Sequence, residues 1–87
     1  MKWRVFFDPA AEKQFSKLGR TAQQEIEKYI AKNLESEEDP RRFGKPFLSV
    51  RNAWRYRVGD YRFVCQVQND KLIVLVIKVG HRRDVYD

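Results

Sequence analysis

Eighty-seven residues with 18 Lys plus Arg against 12 Asp plus Glu, a net charge of +6, predict one small basic domain over residues 1–87 with room for a single core. One cysteine excludes an internal disulfide and a thiol-built zinc site, and its place inside VCQV marks Cys65 as a core thiol suited to a reducing cytoplasm. The start lacks the apolar run of a signal peptide and no stretch approaches a membrane span, so the basic balance points to nucleic acid or an acidic protein as partner.

KWRVFF, residues 2 to 7, reads as a first strand. Asp8 as N-cap, Pro9 at the first helical position and Gly19 as terminator frame a first helix, with Ala11, Phe15 and Leu18 on one face. TAQQ at 21 to 24 matches a capping box in which Thr21 caps and Gln24 reaches back. Ala22, Ile26, Tyr29, Ile30 and Leu34 then form an apolar stripe to about residue 36, completing an αα-hairpin. The acidic run ESEED at 35 to 39 marks an exposed helix end, and DPRRFGKP is loop, punctuated by Pro40, Gly44 and Pro46. NAWRYRV alternates as a strand, Gly59-Asp60 makes a two-residue turn, and YRFVCQVQ returns. Asn69-Asp70 makes a second two-residue turn into KLIVLVIKV, apolar enough for a central strand covered on both faces. The predicted fold is α+β in the order β-α-α-β-β-β: an antiparallel sheet with the N-terminal αα-hairpin packed on one face. Trp3 and Trp54 are expected in its core.

The Gly59-Asp60 turn fixes a register in which Arg57 faces Arg62, Tyr56 faces Phe63 and Trp54 faces Cys65. Alternation then puts Trp54, Tyr56, Val58, Tyr61, Phe63, Cys65 and Val67 toward the helices and gathers Arg55, Arg57 and Arg62 on the other face. Like charges directly opposed across strands cost up to about 1 kcal/mol, so three guanidiniums on one patch call for an anion. A phosphate suits them, because the arginine fork binds phosphate oxygens bidentately. The blander alternative is that the arginines splay into solvent or pair with ESEED. The second turn sets Arg62 opposite Ile77, so the tail GHRRDVYD leaves the sheet beside this patch and can bring His81, Arg82, Arg83 and Tyr86 to the same anion. Arg41, Arg42 and Lys45 form either a solvated loop or an extension of a backbone-binding track.

RNA fits such a site because its own 2′-hydroxyl attacks the adjacent phosphate, leaving the protein to position, neutralise and move protons. Histidine, with an unperturbed pKa of about 6.5, suits either proton role, and tyrosine can stack on an unpaired base. No metal-ligand spacing and no Gly-rich phosphate loop is present, so no cofactor is expected.

WRYRVGDYRFVCQV followed by IKVGHRRDVY resembles the RelE family of the RelE/ParE toxin superfamily, across nearly the whole chain. The resemblance implies a microbial-RNase-type toxin of a toxin–antitoxin pair. Such a toxin enters the ribosomal A site and cleaves mRNA without a metal, leaving a 2′,3′-cyclic phosphate and a 5′-hydroxyl. It further implies roles by position. Arg55 and Arg57 stand where some members carry lysines at the scissile phosphate. Arg62 would hold that phosphate, Arg82 would stabilise the transition state or leaving group, and Tyr86 would stack on or orient the nucleotide. Arginine is not deprotonated in proteins and makes a poor general base, which leaves His81 as the candidate for proton transfer, in either direction. The implied partners are the ribosome, mRNA and a cognate antitoxin, the toxin being monomeric alone and hetero-oligomeric with that antitoxin. With Asp87 as the last residue, the expected mode of inhibition is direct covering of the arginine patch. Two alternatives compete: a ParE-type inhibitor of DNA gyrase, and a toxin that binds RNA or protein without catalysis.

Overall fold

The computed structural model describes residues 2–85. Strand β1 (Arg4–Phe7) leads into α1 (Pro9–Ser16), where the Asp8 carboxylate accepts the Ala11 N–H at 2.8 Å and Pro9 opens the first turn. Helix α2 (Arg20–Tyr29) begins one residue before the expected Thr21 cap. Its N-cap is Gly19, which therefore starts α2 and does not terminate α1, and its carbonyl accepts the Gln23 N–H at 3.0 Å. Glycine is only a few tenths of a kcal/mol worse than threonine there. The earlier start turns Ala22 and Ile26 inward and lets the Gln23 amide donate to the Phe15 carbonyl at 3.0 Å, tying the two helices. Beyond Tyr29 the helix widens into a π turn over Ile30–Leu34, closed by Glu35 N–H to the Ile30 carbonyl at 2.9 Å.

The expected loop at 39 to 46 holds a 3₁₀ turn, Pro40–Phe43, and a short edge strand β2 (Lys45–Pro46). Strands β3 (Ala53–Val58), β4 (Tyr61–Gln68) and β5 (Ile73–His81) follow, and the sheet order is β1-β5-β4-β3-β2. Pairing is antiparallel from β2 through β5, while β1 joins β5 in parallel, so the predicted all-antiparallel sheet holds for every described pair but this one. The helices and strands β2–β4 that separate β1 from β5 in the chain make that direction available. The β3–β4 register is as read from the turn, with Arg57 opposite Arg62 and Tyr56 opposite Phe63. Gly59 sits in left-handed backbone (φ +56°) at the first central position, where tight hairpins of the II′ kind place glycine.

The β4–β5 register differs from expectation. Asn69–Lys71 forms a 3₁₀ turn followed by Leu72 in left-handed backbone, so four residues lie between the paired Gln68 and Ile73 where a two-residue turn was predicted. A bulge between Val64 and Cys65 adds one more step. Arg62 accordingly faces Gly80, three residues beyond the predicted Ile77.

The main core fills the space between the helices and one sheet face, with Trp3, Ile26, Leu34, Tyr56, Phe63 and Val76 among its members and Cys65 fully buried. Trp54 is only partly buried at its margin. A second, smaller cluster occupies the opposite face: Phe47, Ala53, Val64 and Val85, with Val50 and Ile77 against them. Val85, 2% exposed, belongs to the tail, which is therefore seated on the sheet. No helix among the described residues is long and apolar enough to cross a membrane.

Candidate functional site

The small second cluster covers only part of its sheet face, and alternation along β3 and β4 puts Arg55, Arg57 and Arg62 on the remainder. Two clefts open there. One, of about 360 Å³, is lined by Arg42, Phe43, Gly44, Lys45, Arg55, Tyr56, Arg57 and Arg62. The other, of about 380 Å³, is lined by Asp60, Arg62, His81, Arg82 and Arg83. Arg62 is common to both, so loop, strands and tail supply one continuous basic track with Arg62 at its middle.

The register explains the tail's position. Because β5 runs through His81, the chain leaves the sheet directly beside Arg62, closer than the predicted register allows. The Arg82 N–H donates to the Asp60 carbonyl at 2.7 Å, and an Arg62 guanidinium N–H donates to the Val85 carbonyl at 3.3 Å. These two bonds and the burial of Val85 fix the 3₁₀ turn Arg82–Asp84 against the β3–β4 hairpin.

The acidic run does not neutralise the patch. Asp39 pairs with Arg41 at 3.1 Å and Glu38 with Arg42 at 3.0 Å, whereas the described residues offer Arg57, Arg62, Arg82 and Arg83 no carboxylate within ion-pair distance. Arg41 is withdrawn from the track: its guanidinium also donates to the Asn69 side chain at 2.7 Å and lies 5.5 Å from the Trp54 ring centre. Arg42 keeps a place in the cleft, since its ion pair is exposed on both sides and such pairs are weak. Lys45 pairs across the edge with Arg55.

His81 stands opposite Tyr61, its ring edge-on at 5.6 Å, and reaches the second-named cleft from the helix side of the sheet. Its Nδ1 is shielded from solvent and has no hydrogen-bond partner among the described residues. Tyr56 lines a cleft but serves the core. Its hydroxyl donates to the Pro40 carbonyl at 2.9 Å, it stacks on Phe63 at 5.1 Å, and burial pushes its phenol far above the usual range, so it stays a neutral donor. Burial, with Cys65 adding a smaller push, likewise raises the Tyr29 phenol, whose hydroxyl donates to the Phe43 carbonyl at 3.1 Å. Tyr86 lies outside the described residues.

Sequence reasoning passed over three cleft residues. Phe43 and Gly44 sit in a segment read as plain loop, and Asp60 was accounted for as a turn former. The signal for Asp60 was present: it is the residue that joins the two arginine-bearing strands.

Fold and site together define a small basic α+β domain whose open sheet face is lined with arginines. The chain belongs to the RelE/ParE superfamily of toxins: its residues 5–86 match the family described as the ParE toxin of the type II toxin–antitoxin system parDE. It is 32% identical over 84 residues to the mRNA interferase toxin RelE of Escherichia coli strain K12, spanning 94% of this chain and 85% of that protein. The toxin in the crystal structure of the intact Escherichia coli RelBE toxin–antitoxin complex superposes with a TM-score of 0.74 at 30% identity, covering 91% of this chain and 95% of that one. The RelBE2 toxin–antitoxin complex of Mycobacterium tuberculosis shares the fold with a TM-score of 0.81 at 24% identity, over 94% of this chain and all of that one. The fold is RelE-like, and the α+β class read from the sequence is the observed one.

Proposed function

We propose that this toxin is a cytoplasmic, ribosome-dependent endoribonuclease that cuts mRNA in the A site. The observation that carries this reading is Arg62, shared by two cationic clefts whose arginines at 57, 62, 82 and 83 lack carboxylate partners among the described residues. A nucleic-acid backbone supplies successive phosphates, and a track of this kind fits one strand of it. The resemblance to an mRNA interferase supports RNA as the strand cut.

In this reading Arg62 grips the scissile phosphate and Arg82 neutralises charge as the phosphorane forms. Arg55 and Arg57 hold the non-bridging oxygens, and Tyr86 stacks on a neighbouring base. Arg42, Lys45 and Arg83 steer the flanking backbone, while Arg41 serves the fold. The 2′-oxygen bonds to phosphorus, the bond from phosphorus to the 5′-oxygen breaks, and the products are a 2′,3′-cyclic phosphate and a 5′-hydroxyl. Charge is neutralised by guanidiniums without a metal, which fits a site built from always-charged groups. The chain alone is a monomer. A cognate antitoxin as partner is supported by the toxin–antitoxin complex of a related toxin, and in this reading it binds over the arginine face.

Purified protein added to ribosomes programmed with a defined A-site codon should produce new mRNA 5′ ends at that codon, and none on naked RNA. The ParE description of the matching family gives the competing reading its footing. Intact mRNA together with loss of gyrase supercoiling would select that reading.

A further inference from the structure

Cleavage by the 2′-hydroxyl needs a group that takes its proton, and the basic track offers few. Arginine cannot do so in practice. Tyr56 is buried in the core and held neutral. Among the residues described at the cleft shared by Arg62 and Arg82, one carries a carboxylate, Asp60. Asp60 is exposed, and its carboxylate has neither a hydrogen bond nor an ion pair with any described residue, although four basic side chains line the same cleft. Its backbone carbonyl, by contrast, is engaged, accepting the Arg82 N–H at 2.7 Å. The fold thus uses the main chain of Asp60 and leaves its side chain unclaimed.

We infer that Asp60 is the general base. This rests on the nuclease reading and deepens it. As the 2′-oxygen–phosphorus bond forms, the Asp60 carboxylate takes the hydroxyl proton. As the bond to the 5′-oxygen breaks, that oxygen takes a proton from water. His81 lines the same cleft, but its Nδ1 is shielded and unpartnered, which disfavours the doubly protonated ring a proton donor would need. Arg62 and Arg82 stabilise the charge between them. Asp60 ends protonated, and the hydroxide left by the proton-donating water takes that proton back, restoring the carboxylate. Among the described side chains, the charged and titratable groups facing Asp60 are Arg62 from β4, His81 from β5, and Arg82 and Arg83 from the tail turn. Glu25 of α2 approaches the neighbouring Gly59.

The experiment is single-turnover cleavage on programmed ribosomes, with Asp60→Asn and Asp60→Glu beside the wild type. Asparagine preserves the turn and the backbone bond, so melting temperature should hold. Removing the cleft's negative charge should leave ribosome binding equal or tighter. The chemical step should fall by about 100- to 10,000-fold, and glutamate should recover part of the rate. Wild-type cleavage matched by Asp60→Asn would overturn the role of Asp60 alone. A slow Asp60→Asn that melts early, with no recovery in Asp60→Glu, would assign the residue to structure and also overturn it. Absence of cleavage by the wild type would overturn the nuclease reading itself, and the base with it.

Discussion

Replacing Arg62 by alanine separates what this residue does for function from what it does for the fold. On the stability side two effects oppose each other. The guanidinium donates one bond to the Val85 carbonyl at 3.3 Å; bonds from charged groups contribute about 1.5–3 kcal/mol net, and one this long belongs at or below the low end. Arg62 also stands directly opposite Arg57, a like-charge pairing that costs up to about 1 kcal/mol. The sum is close to zero, so Arg62→Ala should unfold within about 1 kcal/mol of the wild type, a shift in Tm of no more than roughly 4–8 °C for a domain this small. Cleavage should behave differently. Loss of a preorganised donor at a developing oxyanion typically costs about 100- to 1,000-fold in rate, and among the described residues Arg62 is the one lining both clefts. Urea titration followed by single-turnover cleavage on programmed ribosomes measures the two quantities on one preparation. Undiminished cleavage would refute the placement of the phosphate at Arg62, and a stability loss above about 3 kcal/mol would refute the offset argued here.

Gly44→Ala should destabilise by about 1–3 kcal/mol through overpacking, because a Cβ there would lie 2.7 Å from the Tyr56 ring and 2.8 Å from the Arg55 carbonyl; an unchanged melting temperature would show that the loop can lift off β3. Arg41→Ala should lower stability by about 1 kcal/mol while leaving the cleavage rate unaltered, since its contacts are to Asp39, Asn69 and Trp54. Burial raises the Cys65 thiol well above its usual range, so alkylating reagents should leave it intact in the folded protein and modify it on unfolding. Because the folded state holds that proton more tightly, the thiol's stabilising contribution is full below the unfolded value of about 8.5 and declines as pH rises above it; Cys65→Ala should flatten that alkaline slope in urea titrations.

What the sequence made legible followed from how few residues decided each feature. The β3–β4 register hung on one glycine with a two-residue loop, and alternation then sorted seven apolar side chains from three arginines without further choice. The β4–β5 register depended on features that leave no mark. A left-handed leucine at position 72 is a conformation bulky residues seldom take, and a bulge between two ordinary strand residues has no compositional sign. At the start of α2, Gly19 and Thr21 were both acceptable caps, and tertiary ties through Gln23 decided between them. The second hydrophobic cluster was missed because Val85 lies in a tail whose composition reads as polar, so the tail was expected to rim the site and not to pack. Asp60 was overlooked for the opposite reason: a sufficient explanation as a turn residue closed the question early.

The seating of the tail also bears on why the central position is an arginine. A guanidinium carries five N–H donors in a fixed plane. One of those on Arg62 is spent on the Val85 carbonyl, which helps to hold Arg82 and Arg83 in place. Arg62 lines both clefts, and in the proposed reading its other donors serve phosphate oxygens. A lysine has the same charge, but its three donors radiate from a single nitrogen and cannot serve a carbonyl on one side and a bidentate anion on the other. Arg62→Lys should therefore keep the repulsion with Arg57 and lose the tail contact, ending less stable than Arg62→Ala and yet more active. That inversion of rank between stability and activity follows only if one side chain holds both the tail and the substrate.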